Sequence, residues 1–156
     1  MSYSTGGSTV INGQAPVVGW SEIEIAAAPE LAWSVLTAIG RWPEWNPGVR
    51  SVSSEEGIGE GSEFRWKAGP GSIRSTIEEV DAPRRIAWTG SSFGVKAIHV
   101  HTFAPHAGGT LVRTEESYDG LVARLFRRRL QRVLDTTLDD ELRHLKAEAE
   151  RRARDA

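Results

Sequence analysis

The sequence predicts an α+β fold: a seven-stranded, curved antiparallel sheet wrapped around a long C-terminal helix, with two short helices between strands 1 and 2. Three observations predict it. Seven segments show a strand-like apolar alternation, six of them in series between short turns rich in Gly, Pro, Ser and Asp. Parallel pairs would need crossovers of roughly a dozen residues, and these connections are too short. After Gly120 the pattern changes to one long 3.6-residue apolar stripe without Gly or Pro.

Residues 1–15 are Ser/Thr/Gly-rich and read as a flexible leader; residues 16–156 read as one domain. Val17 to Ala26 is the first strand, with Ile23 and Ile25 alternating against Glu22 and Glu24. Ala28-Pro29-Glu30 opens a helix, since Pro suits the first helical position and Glu30 complements the dipole. Leu31, Val35 and Ile39 form its stripe, and Gly40 ends it. Two prolines within residues 41–48 limit the next segment to one helical turn over Pro43 to Trp45. Strands follow over Val49–Glu55, Ser62–Ala68, Ser72–Val80, Arg84–Gly90, Val95–Phe103 and Thr110–Tyr118. The last helix carries Val122, Phe126, Leu130, Val133, Leu134, Leu138, Leu142 and Leu145. About 30 residues at 1.5 Å each span roughly 45 Å, enough to cover the apolar face of a curled sheet. A sheet curled around one helix leaves a gap, and that gap is expected to be a deep apolar cavity.

Composition narrows the function classes. The 156 residues are 39% hydrophobic and 26% charged, with 19 Lys+Arg against 21 Asp+Glu and a net charge of −2. No bulk positive field argues for nucleic acid. Cys is absent, which excludes disulfides, thiolate metal sites and Cys nucleophiles. With no signal-like segment and no apolar run long enough to span a bilayer, the expected compartment is the cytoplasm. Six Trp against four Phe and two Tyr place unusually large aromatic surfaces somewhere in a small domain. Gly57-x-Gly59-x-Gly61 joins two strands and opens no helix, so it is a turn and not a dinucleotide fingerprint.

Several motifs carry a resemblance. Ala28-Pro29-Glu30 followed by Trp33, Trp42-Pro43-x-Trp45-Asn46-Pro47, Gly108-Gly109-Thr110-x-Val112-x-Thr114-Glu115-Glu116 and Leu142-x-x-Leu145-Lys146-x-x-x-Glu150 resemble the START-like helix-grip superfamily. The match is closest to its SRPBCC branch, the polyketide cyclase/dehydrase and lipid-transport proteins, and covers roughly residues 17–150. The resemblance implies a helix-grip fold with a hydrophobic cavity. It does not separate binders from enzymes, and it implies no metal.

Strand parity assigns the cavity lining. Phe64 and Trp66, Ile77, and Trp88 face inward. On the fifth segment of the series, His99, His101 and Phe103 share the inner face opposite Lys96. Val112 inward brings Glu116 and Tyr118 with it. If Ala104 pairs with Gly109, His99 lies opposite Thr114 with Glu116 on the diagonal; a one-residue slip would bring Glu115 inward instead. Trp45 at the rim and Phe126, Leu130 and Leu134 on the helix complete the expected ligand-binding set. His99, His101 and Glu116 are the candidate catalytic residues. Three readings of the His pair stand: satisfied polar packing, acid–base work on a bound ketone or polyketide, or a two-His-one-carboxylate metal set. His106 lies in a turn, and His144 sits among Glu141, Arg143 and Lys146 on a helix surface. The arginine-rich run Arg124 to Arg132 reads as the solvated face of an amphipathic helix.

The expected function is binding of a small hydrophobic or aromatic molecule without a cofactor or metal. The alternatives are a cyclase, aromatase or dehydratase acting through the cavity His and Glu, and a co-chaperone-like interaction module. A monomer or homodimer is expected, with no nucleic-acid partner and no membrane span.

Overall fold

The computed structural model describes residues 7–54 and 57–156. The expected leader residues 1–6 and the end of the second strand at Glu55, with the turn residue Glu56, lie outside the described residues. Seven strands, β1 Val17–Ile25, β2 Val49–Ser54, β3 Glu63–Ala68, β4 Gly71–Asp81, β5 Arg85–Ser92, β6 Val95–His106 and β7 Gly109–Asp119, form one antiparallel sheet. Their order is β1-β7-β6-β5-β4-β3-β2. The chain passes from one edge to the other through α1 Pro29–Thr37, a 3-10 turn Ile39–Arg41 and α2 Trp42–Trp45. The expected α+β architecture is therefore the observed one. Residues 9–12 lie against the sheet, where Thr9 N–H donates to Glu79 Oε1 at 2.7 Å and Asn12 N–H to Ser117 Oγ at 3.1 Å.

Two details differ from the sequence reading. Ala38 caps α1, so Gly40 falls inside the 3-10 turn and does not end the helix. The final helix is also broken. α3 Leu121–Leu125 and α4 Arg127–Asp155 are separated at Phe126, whose φ of −112° and ψ of 29° leave the helical region. The break takes Phe126 off the buried stripe, and it is exposed. Gly120 makes α3 possible: its φ is +107°, and a Cβ there would lie 2.4 Å from the Gly94 carbonyl oxygen.

The β6–β7 hairpin is tighter than expected. His106 pairs with Gly109 across Ala107 and Gly108, with φ of 48° and 80°, so the turn holds two residues. A two-residue turn with positive φ at both positions matches the strand twist. Ala104 consequently pairs with Leu111, His99 with Glu116 and His101 with Thr114. The shift is even, so parity survives and Glu116 stays on the inner face.

α4 lies along β1. At Gly19 an added Cβ would approach Leu134 Cδ2 to 3.1 Å, so the bare backbone there lets the helix lie close to the strand. Leu134 and Leu138 pack with Val17, while Leu142, Leu145 and Ala149 join the main core with Trp33, Leu36, Trp42, Phe64 and Trp88.

Candidate active site

The sheet's inner face brings most of the expected residues together. Phe64, Ile77, Trp88, His99, His101, Phe103 and Val112 are buried on it. Trp42 of α2 sits at the centre of an aromatic cluster, 5.6 Å from Phe64, 5.4 Å from Trp66 and 5.6 Å from Trp88 between ring centroids. Trp88 lies 5.1 Å from His101, nearly parallel to it, and 5.0 Å from His99. These rings occupy the space expected to be a deep hollow. Phe103 belongs to the closed end of the sheet, edge-on to Trp33 at 5.6 Å. Trp45, the last residue of α2, is buried and does not form a rim; its Nε1 has no hydrogen-bond partner among the described residues. Leu134 is buried and Leu130 half-buried beside Tyr118, both against β1 and β7. Phe126 points away from the inner face's buried set and is solvent-exposed.

What stays open is the end of the inner face nearest the β5–β6 hairpin. Trp66, Ile73, Gly90, Ala97 and Tyr118 are half-buried there. Trp66 Nε1 donates to Ser75 Oγ at 3.1 Å, which anchors the indole as one wall. This half-buried end of the inner face lies beside α4, which packs mainly along β1.

Next to this end of the inner face lies a buried polar network. His99 Nδ1 is 3.2 Å from Glu116 Oε2, and His99 Nε2 is 2.6 Å from Thr114 Oγ1. His101 Nε2 is 2.5 Å from Oε1 of Glu141, whose Oε2 is 3.9 Å from His99 Nε2. Glu141 was read from sequence as part of a surface helix face. Seven residues at about 100° each, however, return a helical position to within roughly 20°. That places Glu141 on the stripe of Leu134, one turn from both Leu138 and Leu145. A lone acid inside an apolar stripe is the signal that marks it.

Burial pushes the Glu116 carboxyl well above its ordinary value, and the neighbouring Glu141 charge adds to this. Burial also lowers His99 to about 3, helped by the adjacent His101. Burial works against the Glu141 anion too, but the charge and hydrogen bond of His101 outweigh it and hold that carboxyl below its usual range. Tyr118, hydrogen-bonded to Glu116, is raised by burial and by both carboxylates. His101 Nδ1 is buried with no partner among the described residues. His99, His101 and Glu141 also bring three donor atoms within 4.8 Å of one another. A divalent ion there would have to displace the His101–Glu141 hydrogen bond.

With fold and site in view, relatives can be placed. The family described as polyketide cyclase / dehydrase and lipid transport matches residues 20–150, and the chain belongs to it. A hypothetical protein from Helicobacter pylori superposes with a TM-score of 0.79 at 13% identity, covering 92% of this chain and 98% of that one. The di-domain ARO/CYC StfQ from the steffimycin biosynthetic pathway superposes with a TM-score of 0.75 at 22% identity, over 88% of this chain and 51% of its own. A START superfamily protein from Mycobacterium smegmatis gives a TM-score of 0.68 at 14% identity, over 86% and 97%. At these identities the likeness is one of fold. A search of curated proteins finds no match. No helix among the described residues is long and apolar enough to cross a membrane.

Proposed function

We propose that the chain binds a small apolar molecule bearing a ketone, polyketide- or lipid-like, against the half-buried end of the sheet's inner face and performs acid–base chemistry on it. One observation carries this reading: a single imidazole, His99, has a carboxyl group near each ring nitrogen, and their surroundings push the two carboxyls in opposite directions, Glu116 up and Glu141 down. Titratable groups driven apart in this way supply an acid and a base at one pH. Glu116 and Glu141 keep 13% and 14% of their side-chain surface. A carbonyl oxygen seated over Glu116 receives its proton while the Glu141 carboxylate removes one from the adjacent carbon. The product is an enol, the nucleophile that ring closure or dehydration requires. His99 and His101 hold the two carboxyls in place. The family's printed description and the likeness to an ARO/CYC protein support this substrate class.

The test uses an aryl β-diketone in D2O. Protein-catalysed exchange at the central carbon is followed by NMR, and binding by quenching of Trp66 and Trp88. Glu116→Gln and Glu141→Gln should each slow exchange by roughly 100-fold or more, the usual scale of a lost acid or base. Quenching without exchange would leave a binding protein only. Neither signal would favour the interaction-module reading.

A further inference from the structure

One end of the molecule carries large apolar side chains in water. Phe93 is 74% exposed, Leu121 71%, Leu125 69% and Phe126 53%. They come from two elements that pack together: the β5–β6 hairpin tip and the start of the C-terminal helical region. Gly94 lies against Val122, where an added Cβ would be 3.1 Å from Val122 Cγ2. Phe93 holds a φ of +47°, a region costly for most residues but Gly or Asn, and its ring lies over Gly71 yet stays mostly solvated.

The same end is strongly basic. Residues 121–132 contain Arg124, Arg127, Arg128, Arg129 and Arg132 and no acidic residue, in a chain of net charge −2. All five arginines are exposed, and none forms an ion pair among the described residues. Lys96, Leu121 and Arg124 line one shallow depression together, with Asp119 as the acidic neighbour. Arg127 Nε donates to the Pro16 carbonyl oxygen, which holds the basic run against the domain.

From this combination we infer that the end formed by Phe93, α3 and the first turns of α4 docks on an anionic lipid surface. Projecting aromatic and aliphatic groups ringed by arginines match an interface with acyl chains below and phosphates above. A nucleic acid would use the arginines and leave the apolar groups in water. A second copy of the chain would bring five arginines against five. The surface borders the half-buried end of the inner face, where Gly90, Ala97 and Tyr118 lie. Docking would therefore turn that end of the inner face toward lipid. It does not depend on the acid–base reading.

The test is flotation of the whole chain with vesicles of phosphatidylcholine alone or mixed with phosphatidylglycerol. Flotation with the mixed vesicles only, weakening with added salt, is expected. Replacing Arg127, Arg128 and Arg129 with Gln should lower partitioning on the order of 100-fold, at about 1 kcal/mol per arginine near an anionic surface. Leu125→Ser and Phe93→Ser should lower it as well without altering the Trp signal of ligand binding. Glu116→Gln should abolish diketone exchange yet float normally, so the two proposals fail separately. No flotation with either vesicle would overturn the inference. So would flotation that ignores the arginines, a retarded DNA duplex in place of lipid binding, or a dimer that Leu125→Ser dissolves.

Discussion

Glu141 of α4 reaches His101 of β6 across the interior, Oε1 to Nε2 at 2.5 Å, and ties the long helix to the inner face of the sheet. His101 is fully buried and Glu141 nearly so. Removing one member strands the other in an apolar surround, which typically costs roughly 3–5 kcal/mol, whereas replacing both with apolar groups costs much less. Glu141→Leu alone should therefore destabilise strongly, and pairing it with His101→Leu should recover most of the loss. Urea unfolding of the four proteins measures the coupling; additive losses would show the tie to be energetically idle.

Stability should also depend on pH in two opposite ways. His99 titrates near 3 in the folded chain against an ordinary value of 6.5. Between those values the unfolded chain holds more protons, so stability falls as pH drops through that window, by up to a few kcal/mol. Glu116 is raised above 4.5 in the folded chain. Above 4.5 the folded state holds the extra proton, so this group removes stability as pH rises. The two trends oppose each other between about 4.5 and 6.5, giving a broad maximum there with decline on both sides. Glu116→Gln should remove the alkaline decline and keep the acid one, as read by thermal melts across pH.

The two-residue hairpin turn offers a gain. Ala107 holds φ of 48°, where a Cβ is unfavourable by roughly 1–2 kcal/mol. Ala107→Gly removes that cost, offset in part by the entropy of glycine in the unfolded chain. A net stabilisation of up to about 1 kcal/mol is expected in urea titrations.

Gly19 offers the reverse. A Cβ there would come within 3.1 Å of Leu134 and 3.3 Å of Asp135 Oδ1. Gly19→Val must push α4 off β1 and should cost roughly 1–3 kcal/mol, the range for overpacking. A chemical-denaturation midpoint equal to the parent's would show that α4 has room to move.

The strand count, the antiparallel order and the inner parity of His99, His101 and Glu116 were all legible along the chain. Each follows from a period of two and from turn residues, which act between near neighbours. Glu141 was not read as a site residue, although its position in the Leu134–Leu145 stripe was visible. Whether a charge in such a stripe meets water or a partner depends on which strand the helix lies along. The bare backbone of Gly19 settles that across more than a hundred residues of chain. The filled interior was hidden for the same reason. Six tryptophans announce bulk, but only the crossing of α2 under the sheet sends Trp42 between Phe64, Trp66 and Trp88 and turns a predicted hollow into packed rings. Local spacing dictates which face a side chain leaves from; what it meets there is set by how the curled sheet and the long helix share one volume.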